Sequence, residues 1–266
     1  LMDALPEHER ARIASAVTGR DRAALILAPP SSDEQSAIDV LAARRLDGEP
    51  LQYLEGTAQF GPLEVSVDSR VLVPRPETEQ VWEQAVFSLA DAGPGTTIVD
   101  LGTGSGVLAL GLKHAFPTAR VIGVDISEDA LDVARSNGDR LGLDVEWLHG
   151  DLFEPLPDRL MERIDLLVSN PPYVSEFEWE RLPPDVRDHE PRGALVSGPD
   201  GTEVLTRIAD DGFWWLGIGG WLVCEIGETQ GPAVLDLFGA FDRDVRPDLA
   251  GRDRILVARK GASCCR

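Results

Sequence analysis

The chain has 266 residues, of which 43% are hydrophobic and 27% charged, and its formal net charge is −21. That length and apolar content suffice for one large domain and a small companion. An acidic balance this strong opposes broad binding to phosphate backbones, no apolar run reaches the roughly 18–20 residues that cross a bilayer, and no spaced Cys/His set suggests a metal site.

Residues 1–50 mix Ala, Leu, Ile and Arg at helical spacing and form a small helical unit with a break at Ala28-Pro29-Pro30. The chain opens on Leu1 inside this helix-like stretch, so preceding residues are expected. Ser32 followed by Gln35 resembles a capping box and predicts a helix over 33–46. From Gln52 to Val73 aromatic and β-branched residues alternate around Gly56, Gly61 and Pro62, which predicts a β-hairpin within a connector over 51–80. The main domain then occupies 81–260. Strand-like runs fall at 97–101, 120–125, 144–149, 164–169, 220–226 and 254–259, and helical patterns at 106–115, 128–141 and 200–217. Strands alternating with helices predict parallel βαβ units in a doubly wound α/β sheet. A tail over 261–266 carries Cys264 and Cys265, while Cys224 sits in an apolar run, and this cysteine usage predicts a reduced, cytoplasmic protein.

The first strand runs directly into Gly102-Thr103-Gly104-Ser105-Gly106 and a helix. Glycines there let the backbone turn tightly and approach a ligand. The dinucleotide fingerprint needs a glycine where Val107 stands, so the spacing suits a cofactor without a pyrophosphate, although a plain tight turn has the same glycines. The second strand ends at Asp125-Ile126, where a carboxylate can accept ribose hydroxyls, or merely cap a helix. After the third, Asp151 can meet an adenine amino group and Leu152 can flank the ring. Three such positions at successive strand C-termini resemble the class I methyltransferase family, and that resemblance implies S-adenosyl-L-methionine as cofactor and S-adenosyl-L-homocysteine as product.

The fourth strand delivers Asn170-Pro171-Pro172-Tyr173. An amide or amino nitrogen is a poor nucleophile because its lone pair is delocalised. The Asn170 side-chain oxygen and the Pro171 carbonyl can each accept one of its hydrogens, which orients the nitrogen and favours lone-pair character as a bond forms. The prolines stiffen the loop, and Tyr173 offers a flat wall. Asn-Pro and Pro-Pro are also ordinary turn dipeptides.

Arg75-Pro76-Glu77-Thr78-Glu79, Asp188-His189-Glu190-Pro191-Arg192, Glu225-Ile226-Gly227-Glu228 and Gln52-Tyr53-Leu54-Glu55-Gly56 complete the pattern. Together with the tetrapeptide they resemble the release factor glutamine methyltransferase (PrmC/HemK) family over residues 50–259. The resemblance implies a Rossmann-like, seven-stranded, mostly parallel sheet and methyl transfer to the glutamine of the Gly-Gly-Gln motif of class I peptide chain release factors. It further implies that Gly102 through Gly106, Asp125, Ile126, Asp151, Leu152 and Asn170 contact the cofactor. Asn170 through Tyr173 would hold the glutamine, with Arg75, Glu77 and Thr78 nearby, no metal, and a monomeric chain whose helical unit grips the release factor. The competing reading is an amino-methyltransferase acting on adenine or guanine in RNA or DNA. Against it, residues 175–192 hold six acidic and three basic side chains, a poor phosphate cradle, and no stable nucleic-acid binding is expected. Glu190 is expected to order its loop, and Trp214, Trp215 and Trp221 to pack in the core.

Overall fold

The structure is a computed structural model and describes residues 4–90 and 93–262. Four helices open the chain: α1 (Glu7–Thr18), α2 (Arg22–Leu27), α3 (Ser32–Leu46) and α4 (Leu51–Glu55). Helix α3 is capped one residue earlier than expected, by Ser31 rather than Ser32. The Ser31 hydroxyl accepts from the Glu34 N–H at 3.3 Å, and the Glu34 carboxylate accepts from the Ser31 N–H at 2.7 Å, so glutamate completes the box in place of Gln35. Helix α4 replaces the start of the expected hairpin. Leu51 and Leu54, three apart, face Leu5, Ile13, Ile38 and Ala42 in a small core, and burial of that pair outweighs a weak strand preference. The turn at Gly56, with φ of 73°, then releases the chain into β1 (Thr57–Phe60) and β2 (Leu63–Ser66), a tight antiparallel hairpin.

Helix α5 (Pro76–Ser88) follows, which the sequence pattern left unassigned. Pro76 occupies its first turn, where the missing N–H costs nothing. The alternating domain comprises β3 (Thr97–Leu101), α6 (Val107–Ala115), β4 (Arg120–Asp125), α7 (Glu128–Leu141), β5 (Glu146–His149) and β6 (Ile164–Ser169). Next come β7 (Val174–Ser175), short helices α8 (Glu176–Trp179) and α9 (Pro184–Arg187), β8 (Val196–Gly198), α10 (Glu203–Trp215), β9 (Leu216–Glu225), α11 (Gly231–Leu237), β10 (Asp242–Pro247) and β11 (Asp253–Arg259). The tail beyond residue 262, with Cys264 and Cys265, lies outside the described residues.

Seven strands form one sheet in the order β10-β11-β9-β6-β3-β4-β5, parallel from β9 to β5 and antiparallel across β9, β11 and β10. Strand alternation divides the core. Ile98, Val121, Leu166 and Val168 face the side covered by α5, α6 and the hairpin. Val99, Ile122, Leu167 and Leu222 face the side covered by α10 and α11. Trp215 joins that second face, stacked on Phe153 at 6.0 Å between ring centroids. Trp214 does not: it is 60% exposed, because neighbours on a helix point about 100° apart and both rings cannot face the sheet.

The chain runs outward from β3 through β4 to β5, then crosses back to lay β6 on the other flank of β3. Open α/β sheets bind ligands at such a reversal, at the strand C-termini. The ends meet closely here: Leu101 pairs with Ser169, whose hydroxyl donates to the Leu101 carbonyl at 2.6 Å.

Candidate active site

Beyond Leu101 the loop is held in left-handed backbone geometry, with φ of 72°, 55° and 86° at Gly102, Gly104 and Gly106. A side chain at Gly102 or Gly104 would meet nothing within 4 Å, so there the glycine answers to conformation alone; at Gly106 a Cβ would press on Trp147 at 2.9 Å. The Gly102 and Thr103 N–H groups both donate to the Val124 carbonyl, at 2.8 and 2.9 Å. Gly104 N–H donates to one Asp125 carboxylate oxygen at 2.8 Å and Ser127 N–H to the other at 2.9 Å. Asp125 thus ties the glycine loop to the end of β4. Burial raises its pKa, and the backbone donors pull it back down. Each carboxylate oxygen keeps a lone pair for a further donor.

Beneath this loop lies Asp100, fully buried at the end of β3. One oxygen accepts from the Thr103 hydroxyl at 2.6 Å and the Ala109 N–H at 3.1 Å, while Oδ1 has no partner. Burial pushes its carboxyl up to about 7. After β5, Asp151 pairs with Arg207 at 3.0 Å, and Leu152 holds φ of 51°, an uncommon backbone for a branched residue. The exposed Ile126 side chain stands on the same rim.

Past β6 the tetrapeptide is braced by distant parts of the chain. Asn170 Nδ2 donates to the Thr78 hydroxyl at 3.0 Å. Thr78, in the first turn of α5, donates to Glu225 Oε2 at 2.7 Å. The Tyr173 hydroxyl donates to Glu225 Oε1 at 3.0 Å, and both burial and this carboxylate raise the tyrosine pKa. The Tyr173 carbonyl accepts from Gln230 Nε2 at 3.0 Å. Nearby, Arg75 donates to Glu190 Oε2 at 2.5 Å. Burial raises the Glu190 pKa against the pull of Arg75.

These segments enclose a cavity of about 430 Å³, within the range of small-molecule sites. Of the residues singled out from sequence, Gly102, Thr103, Gly104, Ser105, Asp125, Ile126, Asp151, Leu152, Asn170, Pro172 and Thr78 line it. Gly106 is the N-cap of α6, and Gly106, Pro171, Tyr173, Arg75 and Glu77 are not among the lining residues. Sequence reasoning missed Asp100, Arg207 and the brace at Glu225. The available signal was a carboxylate set in or closing an apolar strand, as in Ile98-Val99-Asp100 and Val223-Cys224-Glu225. Among the described residues, no group of three or more His, Cys, Asp or Glu side chains is placed to hold a metal ion, and no helix is long and apolar enough to cross a membrane.

Comparison with known proteins agrees with this architecture. Residues 3–56 match the family described as PrmC N-terminal domain, and residues 85–181 the methyltransferase small domain. Among solved structures, a methyltransferase from Pyrococcus furiosus covers 84% of this chain and 99% of its own with a TM-score of 0.56 at 16% identity. The Thermus thermophilus 16S rRNA N2 G1207 methyltransferase covers 77% and 49% with a TM-score of 0.51 at 22% identity. Both show the fold alone. Curated relatives are more similar. Release factor glutamine methyltransferase of Geobacter sulfurreducens is 40% identical over 93% of this chain and 87% of its own length. Its namesake in Moorella thermoacetica is 46% identical over 81% and 76%. That of Mycolicibacterium smegmatis is 40% identical over 97% and 92%. On sequence identity sustained along nearly its whole length, and on a fold that sets a glycine loop beside Asn-Pro-Pro-Tyr, this chain belongs to the release factor glutamine methyltransferase family.

Proposed function

We propose that the chain transfers a methyl group from S-adenosyl-L-methionine to the side-chain amide nitrogen of the glutamine in the Gly-Gly-Gln motif of class I peptide chain release factors. The observation that carries this reading is the state of Asn170 on the cavity wall. Its amide N–H is committed to Thr78, and among the described residues no hydrogen bond engages its Oδ1, which is left to accept from a substrate amide.

The cavity suits the cofactor chemically. Asp125 keeps lone pairs for ribose hydroxyls. Ile126 and Leu152 offer apolar flanks for a ring, and Asp151, paired with Arg207, is an acceptor at that end. The Gly102–Gly106 loop lies where backbone must approach closely. When bound, the cofactor supplies an electrophilic methyl group on a sulfonium. Asn170 Oδ1 and the Pro171 carbonyl each accept one N–H of the substrate amide and turn its nitrogen toward that methyl group. The new N–C bond would form as the methyl–sulfur bond breaks, leaving S-adenosyl-L-homocysteine as the neutral thioether, and the nitrogen would shed one proton to water. Pro172 and Tyr173 hold the loop so that this alignment is already made before the substrate arrives. Residues 1–50 serve as the substrate-recognition unit and 51–80 as the connector to the catalytic domain, and the enzyme acts as a cytoplasmic monomer.

The test is methyl-label transfer to purified class I release factor, with the Gly-Gly-Gln glutamine changed to Ala in a control factor and Asn170→Ala in a control enzyme. Label enters only the wild-type pair. Loss of a preorganised hydrogen-bond partner costs about 10²–10³ in kcat, so the Asn170→Ala enzyme keeps its fold and loses turnover. Label on RNA or DNA and none on the factor overturns the substrate assignment in favour of a base amino-methyltransferase.

A further inference from the structure

Thr78 and Tyr173 converge on one carboxylate, Glu225, at the end of β9. It is only 1% exposed, and 147 residues of chain separate it from Thr78. Both its oxygens receive hydroxyl donors, at 2.7 Å from Thr78 and 3.0 Å from Tyr173. Burial raises its pKa, the two hydroxyls and the Arg254 guanidinium lower it, and Glu77 raises it.

Both Glu225 oxygens are acceptors here, one taking the Thr78 hydroxyl proton and the other that of Tyr173. A hydroxyl has one proton, so the Thr78 hydroxyl, having donated to Glu225, can only accept from its other neighbour. That neighbour is Asn170, which must therefore present its NH2 to Thr78 and turn its oxygen the opposite way. A carboxamide flipped by 180° would fit the same volume. It would also set an NH2 against a substrate NH2, donor facing donor, with nothing left to orient the nitrogen. Shape alone does not distinguish the two states of Asn170. Hydrogen-bond polarity does, and the polarity originates at Glu225.

We propose that Glu225 is the positioning residue that sets which way the Asn170 carboxamide faces, acting through the Thr78 hydroxyl, while its second oxygen anchors Tyr173. For activity the inference rests on the methyl-transfer reading above. For the orientation of Asn170 it does not.

Glu225→Gln separates polarity from shape. The glutamine NH2 can donate to Thr78, which frees the Thr78 proton for Asn170 Oδ1 and permits the flip. The full-length enzyme is assayed on release factor, with binding of S-adenosyl-L-homocysteine measured in parallel. Expected is a fall in kcat of about 10²-fold or more, with unchanged affinity for the cofactor product and an unchanged melting temperature. A wild-type kcat in Glu225→Gln overturns the proposal. So does loss of kcat, product affinity and melting temperature together, which marks a structural role. Should Glu225→Gln fail to fold, Thr78→Val and Thr78→Ser decide: the valine enzyme loses kcat and the serine enzyme, which keeps the hydroxyl, retains it. Equal activity in the two overturns the relay. A nuclear Overhauser contact between the Asn170 NH2 and the Thr78 methyl group, present in wild type and lost in Glu225→Gln, reports the flip directly. Its persistence in the variant refutes the flip. A wild-type enzyme that labels no release factor overturns the substrate reading instead, and the nuclear Overhauser contact still decides this one.

Discussion

The end of β3 places a carboxyl group where charge is expensive. Asp100 is wholly buried, with one oxygen satisfied by Thr103 and Ala109 and the other unpartnered. Its pKa rises from 3.8 to about 7, because burial outweighs those two hydrogen bonds. Between these values the folded chain holds a proton that the unfolded chain has released. The folded state therefore binds more protons in that window, and stability falls as pH rises through it. The contribution is complete below pH ~4 and lost by the time pH passes the folded value. Burial also raises the pKa of Asp125, Glu190 and Glu225, so the wild-type slope sums several groups. Asp100→Asn isolates one of them: its amide oxygen can still accept from Thr103 and Ala109, and it cannot ionise. Urea unfolding at fixed ionic strength from pH 4 to 7 should show the variant losing less stability than wild type as pH rises. Parallel curves would mean that Asp100 does not carry the slope.

At the scale of elements, the glycine loop illustrates two different demands on the same residue type. Gly104 and Gly106 both hold positive φ, but only at Gly106 does a Cβ collide with its surroundings, meeting Trp147 at 2.9 Å and Ala134 and Leu110 at 3.2 Å. Gly104→Ala therefore meets the left-handed backbone penalty alone, about 1–2 kcal/mol. Gly106→Ala adds overpacking of about 1–3 kcal/mol. The unfolding midpoint of Gly106→Ala should lie clearly below that of Gly104→Ala, and coincident midpoints would show that Trp147 yields freely. These loops were legible in the sequence because each sits directly after an apolar strand. Position after a strand gave Asp125, Asp151 and Asn170 in the same way. Other elements left no such mark. Strand β10 reads Asp-Arg-Asp-Val-Arg-Pro, a polar edge strand whose charges resist further pairing and hide its strand character. Strand β9 begins at Leu216, earlier than expected, and α10 stops at Trp215. The expected helix over 200–217 and strand over 220–226 leave Gly217, Gly219 and Gly220 at their junction, where they let the strand bend past Glu162 and Ile164. Helix α5 begins at Pro76, inside the segment expected to be the connector over 51–80, and continues past its end to Ser88. The Thr78–Glu225 brace joins α5 to β9 across 147 residues, a pairing that local pattern cannot encode.

The whole molecule carries a formal charge of −21, yet its cavity wall includes Arg70 and Arg207, each paired with an aspartate. The acidity is thus a property of the exterior field, felt at long range by an approaching partner rather than by a bound small molecule. The loop leaving the tetrapeptide adds to it, through Glu176, Glu178, Glu180, Asp185 and Asp188. Nearer contact has other means. The helical unit exposes Ile26 at 72%, Leu27 at 87% and Val40 at 61%, surface whose burial is insensitive to salt. If the field steers a basic loop of a release factor, the two contributions separate kinetically. Rim and long-range charges act on association, whereas packed apolar contacts set dissociation. Screening shortens from about 30 Å at 0.01 M salt to about 8 Å at 0.15 M. Stopped-flow binding of release factor across that interval should therefore give an association rate constant that falls steeply with salt and a dissociation rate constant that barely changes. An association rate constant independent of salt would show that the acidic exterior plays no part in recognition, and would leave the apolar helical surface to account for encounter as well as retention.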